Sequence, residues 1–398
     1  MRHRWTRVAC AAGWLMAGAA IAGADQGFSG NLSGSQEVPP NASAGMGRGF
    51  VILDAAESQI TVLLNFTALT ANASAGHIHG PAPAGVNGPI IFNLNPPPIM
   101  AGNITPQTFP VTPQQVADLK AGLYYFNIHT ATFPGGEIRG QIAPAQSFTA
   151  TLSGAQEVPP NGSTATGYGI AVLDNAETTI GVVLRFSGLT TAAVAGHIHG
   201  PAPAGVNAPV LFNLSPPAVT TGAVTPALFV ITPTQVTDMK NGLYYFNVHS
   251  GTFPGGEIRG QMSKAQYFHS QAFSGANEVP PNASPGTGNG TVTLENFETT
   301  ISVFMRFSGL TANAVAGHIH GPAPAGMNAP VIFNMSPPAA TSGTAGPTSF
   351  AITPTQVNDL KTLLHYFNVH TSTFPGGEIR GQITTVVVPV GLSGFEVK

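Results

Sequence analysis

Apolar and polar residues alternate along SQITVLLNF. Ile60, Val62, Leu64 and Phe66 fall on one side; Gln59, Thr61, Leu63 and Asn65 fall on the other. A period of two with one mostly polar face predicts a half-buried β-strand. The pattern returns in ETTIGVVLRF and ETTISVFMRF. GMGRGFVILD before it and PIIFNL after it read as further strands. In LYYFNIHT, Leu123, Tyr125, Asn127 and His129 share one face, and Tyr124, Phe126 and Ile128 share the other. Phe133-Pro134-Gly135-Gly136 predicts a turn. EIRGQI then closes the unit with Glu137, Arg139 and Gln141 on one face. One short helix interrupts the strands. Thr112 suits its N-cap, Pro113 its first position, and Val116 and Leu119 share a side. Gly122 can end it, as Gly242 can in a second copy; Leu363 stands there in a third, where that cap is expected to be lost. These elements predict an all-β fold, an antiparallel sandwich or flattened barrel with one short helix.

The unit occurs three times. SGSQEVPPN at Ser33–Asn41 recurs as SGAQEVPPN at Ser153–Asn161 and SGANEVPPN at Ser274–Asn282, shifts of 120 and then 121 residues. A repeat of that length is domain-sized and too long for a solenoid. Three tandem domains are expected over 27–146, 147–267 and 268–385, followed by a tail over 386–398. The stretches 95–109, 215–229 and 335–350 differ between copies, as exposed loops do.

The N-terminal 24 residues depart from this pattern. Arg2, Arg4 and Arg7 precede an apolar run that ends at Ala22-Gly23-Ala24, the form of a cleavable secretory signal. The run is shorter than the roughly 20 residues of a membrane span. A secreted product, periplasmic or extracellular, is the expectation, with no membrane span once the leader is removed. Cys10 is the single cysteine and lies in that leader, so disulfides, thiolate metal sites and cysteine nucleophiles are not expected beyond it. Loss of the three arginines takes the net charge from −3 to −6. Without a basic patch, nucleic acid is excluded as a partner. The 43% apolar content argues against disorder and suits a turn-rich β protein.

Candidate chemistry rests on histidine. His-Ile-His occurs at His77–His79, His197–His199 and His318–His320, each time within AGHIHGPAPAG. Another histidine, His129, His249 or His370, follows the first of its triplet by 52 residues, just before FPGGEIRGQ. Nine of the twelve histidines thus form three sets of three. Positions i and i+2 of a strand project from one face about 6–7 Å apart, while Ile78 turns inward. Gly76 and Gly80-Pro81 flank the triplet where a tight turn or close backbone approach is wanted. Three imidazoles with an open position suit copper or zinc, about one ion per domain. No methionine recurs in register, which removes a thioether copper(I) carrier.

Glu37, Glu157 and Glu278, and Glu137, Glu257 and Glu378, are candidates to accept a proton from a ligating ring and orient it. The plainer expectation for them is a structural ion pair with Arg139, Arg259 or Arg380. Asp118 in the helix is expected to be solvated. His365 replaces the tyrosine of the other copies, faces away from His370, and is expected at the surface. No Ser-His-Asp set, phosphate loop or acidic pair recurs.

The string SG(A)QEVPP…HIHGPAPAG…YYFN(I/V)H…FPGGEIRGQI resembles the CHRD domain, named from chordin, over each 120-residue copy. The resemblance implies an extracellular, immunoglobulin-like β-barrel module and no particular catalytic activity. A shorter likeness concerns GLTxxAxAGHIHG and N(I/V)H…GGEIRGQI, which are similar to the copper-loop and closing-strand stretches of Cu/Zn superoxide dismutases. It implies that His77, His79 and His129 stand where three copper ligands stand, and likewise in the other copies. Counterparts of the bridging histidine, the zinc ligands and the loop disulfide are missing, and the arginine of those enzymes lies earlier in the closing strand than Arg139. Three readings follow. The first is a secreted, non-catalytic array of three modules, each with a three-histidine metal site. The second is a structural or adhesive module that binds an extracellular protein or polysaccharide without metal. The third is a copper-only dismutase-like enzyme.

Overall fold

The computed structural model describes residues 25–385; the expected leader over 1–24 and tail over 386–398 lie outside the described residues. In the first repeat the strands are β1 (Gln26–Ser33), β2 (Met46–Leu53), β3 (Gln59–Thr67), β4 (Ala73–His79), β5 (Ile90–Leu94), β6 (Gly102–Pro110), β7 (Tyr125–Thr130) and β8 (Ile138–Gln141). They form one antiparallel sheet in the order β5-β4-β7-β8-β1-β2-β3-β6. The second and third repeats build the same order from their own strands, so the chain is all-β with three nearly closed, barrel-like sheets. The two edges, β5 and β6, meet through side chains: the rings of Phe92 and Phe109 are 4.9 Å apart, and Phe212–Phe229 and Phe333–Phe350 repeat the contact.

The alternation read in β3 is the core pattern. Ile60, Val62, Leu64 and Phe66 are fully buried and join Phe126 and Ile128 of β7 and Ile78 of β4 in one cluster. The helix α1 (Pro113–Lys120) adds Val116 and Leu119 to it. Its N-terminus is a capping box: Thr112 accepts from the Gln115 amide while the Gln115 side chain accepts from the Thr112 amide. Gly122 ends it at φ +69°.

Three expectations change. The variable stretches are not wholly loops, because their second halves form the edge strand: Gly102–Pro110, the pair Gly222–Ala223 and Ala227–Val230, and Gly343–Ala351. The third helix keeps its turn. Leu363 takes φ +65° itself, and its amide still donates to Leu360. The surrounding turn imposes the conformation on a residue that disfavours it.

The outer face of β2 and β3 is not mostly solvated either. Phe50, Ile52 and Leu63 pack against Tyr168, Ile170, Val172 and Val183 of the second repeat. Arg48 pairs with Asp174 at 3.1 Å and Arg185 with Asp25 at 2.6 Å across that contact. The third repeat has Asn289, Thr291 and Thr293 in place of those strand residues and docks differently. Its Arg306 reaches Glu57 of the first repeat, which also holds Lys120, and its Glu295 accepts from Thr149 of the second.

Leu363→Gly removes left-handed strain at a half-buried site. It is expected to stabilise the chain by about 0.5–1 kcal/mol, seen as a raised unfolding temperature, whereas Gly122→Ala at the matching position lowers it.

Candidate metal centre

β4 and β7 pair antiparallel, with Ala75 opposite His129, His77 opposite Asn127 and His79 opposite Tyr125. Directly opposed residues share a face. Ile78, Phe126 and Ile128 therefore fill the barrel, and His77, His79 and His129 gather half-buried on the outside. His129 becomes a diagonal neighbour of His77, with His77 Nδ1 3.0 Å from His129 Nε2. The second and third repeats give the same 3.0 Å for His197–His249 and His318–His370. In every repeat one ring nitrogen from each of the three histidines lies within 4.8 Å of the other two. Gly80 permits the turn out of β4, because a Cβ there would stand 2.4 Å from the Tyr124 ring.

The hydrogen bonds decide which nitrogens are free. A carbonyl can only accept, so each ring nitrogen facing one carries the proton. His79 Nδ1–H donates to the Gly88 carbonyl at 3.0 Å, and His129 Nδ1–H to the Pro134 carbonyl at 3.1 Å. Both rings thereby present a bare Nε2. That of His129 accepts from His77 Nδ1–H. That of His79 is buried and meets no partner, and neither do those of His199 and His320. A buried polar atom left unpaired three times over is costly. Burial first, then the neighbouring rings, push His77, His197 and His318 down to about 4. Burial also lowers His79, His129 and their counterparts. In all nine the shift favours the neutral ring, the ligating form. This donor set fits a metal: nitrogen–metal bonds of roughly 2.0–2.1 Å need the widest separation to close by on the order of 1 Å.

Around the rings the partners differ from those expected. Among the described residues no glutamate is hydrogen-bonded to a ring of the three sets; the orienting acceptors are backbone carbonyls. Glu37, Glu157 and Glu278 accept instead from Asn127, Asn247 and Asn368. Glu137 accepts from Ser43 Oγ, the Thr70 amide and hydroxyl, and Thr130 Oγ1; Glu257 and Glu378 take the equivalent bonds from Ser163 and Ser284. These carboxylates hold loops together. Arg139 forms no ion pair with them: it donates to the Val86 carbonyl and Asn87 Oδ1, and its guanidinium lies 3.5 Å over the Tyr125 ring. Arg259 and Arg380 do the same. The stretch 86–88, just after GPAPAG, is thus pinned beside the histidines by Arg139 and Tyr125.

His365 is not at the surface. It is 1% exposed, in the core position that Tyr124 and Tyr244 fill in the other repeats, and burial pushes it down to about 4. Asp118, expected to be solvated, is half-buried and accepts from Gln114. Sequence reasoning placed Tyr125 on the face of His129 without assigning it a role. The Gly88 and Pro134 carbonyls it could not single out, since every residue carries one.

A family model described as the CHRD domain matches the chain three times, over residues 28–142, 148–262 and 270–383. No curated protein matches it.

The buried carboxylates give opposite pH responses. Burial would raise Glu137, but donors from Thr130, Ser43 and Thr70 outweigh it and hold it below the usual range. Its stabilising effect is full above about 4.5, the ordinary value, and fades as pH falls through the lower folded value. Glu37 is pushed up to about 7, chiefly by burial and against Asn127 and Arg139; its stabilising form is the protonated one, lost as pH rises from about 4.5 through 7. Glu37→Gln should match the parent near pH 4.5 and exceed it by roughly 1–3 kcal/mol at pH 8. Glu137→Gln should be destabilised at pH 7, with the gap narrowing below pH 4.5. Urea unfolding across pH checks both.

Proposed function

The chain belongs to the CHRD domain family, and on that premise we propose that it is a secreted, non-catalytic array of three modules, each holding one copper or zinc ion on three histidines. The observation that carries this reading is the buried, unpartnered Nε2 of His79, His199 and His320, on rings that each offer a nitrogen within 4.8 Å of a nitrogen on both other histidines of the set. His77 would bind through Nδ1, giving up its bond to His129 by taking the other neutral tautomer, and His79 and His129 through Nε2. When bound, the ion supplies a Lewis-acidic centre with an open coordination position.

Binding is favoured over catalysis because, among the described residues, the hydrogen-bond and stacking partners of the rings are backbone carbonyls, tyrosines and one another, with no carboxylate among them. A metal-free adhesive module leaves the three orphaned nitrogens without a purpose. The reading takes 27–146, 147–267 and 268–385 as the domains and 1–24 as a cleaved leader. Among the described residues no helix is long and apolar enough to cross a membrane.

Untagged protein, loaded with copper(II) or zinc(II) and desalted, is expected to retain close to three ions per chain by elemental analysis. Replacing His77, His79 and His129 with Ala should lower this to close to two. Retention indifferent to the triad, or no retention, overturns the reading.

A further inference from the structure

The residue between the arginine and the second histidine is a tyrosine in every repeat, and its surroundings repeat closely. On one face of Tyr125 lies the Arg139 guanidinium; on the other lies the His79 ring, parallel to within 8° at 5.0 Å. Tyr245 and Tyr366 stack on His199 and His320 at 4.9 and 5.0 Å, parallel to within 1° and 7°. The phenol oxygen accepts from the Gly88 amide at 3.0 Å. The carbonyl of that same residue takes the proton of His79 Nδ1. Ala208 and Ala329 sit between tyrosine and histidine in the same way.

We propose that Tyr125, Tyr245 and Tyr366 are positioning residues for the metal, each fixing the plane and the tautomer of the middle histidine ligand. Stacking restricts the tilt of the imidazole, and the cation–π contact with Arg139 restricts the tyrosine in turn. The hydroxyl holds residue 88 by its amide, which keeps the carbonyl of the same residue directed at Nδ1. With the proton kept there, Nε2 is left bare and free of any hydrogen-bond partner before any metal arrives. Nothing needs to reorder on binding except the small approach of the three rings and the tautomer of His77. Groups that orient a metal-ligating histidine in this way are commonly worth about 10–100-fold in affinity.

The proposal rests on the metal reading, and its test separates the two. In full-length chain carrying His199→Ala and His320→Ala, so that the first site alone is intact, Tyr125→Phe keeps the stacked ring and loses the hydroxyl; Tyr125→Leu loses both. Competition with a chelator should show copper(II) or zinc(II) bound about 10-fold more weakly by the Phe variant and about 100-fold more weakly by the Leu variant. In metal-free protein, nitrogen-15 shifts of His79 should show one Nδ1–H tautomer in the parent and a mixture in Tyr125→Phe. Thermal melting verifies that each variant is folded; if Tyr125→Leu is not, the Phe variant decides. Parent-like affinity and an unchanged His79 tautomer in a folded Tyr125→Phe chain overturn the positioning role. If the parent binds no metal, the metal reading fails, while a tautomer shift on Tyr125→Phe still upholds the clamp.

Discussion

The pairing register of β4 with β7 is the constraint from which the rest of the site follows. Side chains alternate along a strand, so a slip of one residue would send His77 and His79 into the barrel and Ile78 into solvent. Burial of Ile78, Phe126 and Ile128 in a common core makes that slip costly. With the register held, Ala75 faces His129, and a small residue there leaves room for the imidazole to lean toward His77. The barrel core therefore specifies the outer site without supplying any of its polar atoms. The same core, built from other residues, produces the same 3.0 Å contact in each repeat.

The polar surroundings divide into two systems that barely touch. One is the loop clamp, in which Gln141 holds Ala82 of the GPAPAG segment, Arg139 and Tyr125 hold residues 86–88 just after it, and the carbonyls of Gly88 and Pro134 set the ring tautomers. The other is structural. Glu137 gathers four donors from three segments of the barrel wall, and Asn41 bonds the carbonyls of Gly136 and Glu137. The acidic residues thus serve the fold, and the metal site is built from neutral groups and backbone, with one buried cation stacked behind it. That division explains why the EVPPN and GGE segments repeat as faithfully as the histidines while lying outside the donor set.

Much of this was legible in the chain. The period of two in β3, the helix cap at Thr112 and the inward turn of Ile78 follow from side-chain geometry that any strand or helix obeys. The 52-residue spacing tied His129 to its pair, but only the strand order brings them together, and a spacing alone carries no strand order. Among the described residues the rings are oriented by backbone carbonyls and not by the candidate carboxylates, and carbonyls have no signature in a sequence. His365 misleads by its polarity; the tyrosines at the matching positions, and its alternation with Tyr366, were the better guide to a buried place. The contact between the first two repeats had a signal too, in FVIL and GIAVL, where strands apolar on both faces cannot have one face in water. Its absence from TVTLE explains why the third repeat packs through Arg306 and Glu295 instead.

The central claim is that each repeat gathers its three histidines around one ion. Crystals of copper- or zinc-loaded protein, with diffraction recorded on either side of the metal's absorption edge, test it most directly. The account predicts three anomalous peaks per chain, each bonded to the three imidazoles of one repeat, His79 and its counterparts through Nε2. Peaks elsewhere on the surface, or triads that stay hydrogen-bonded to one another in saturating metal, would contradict it.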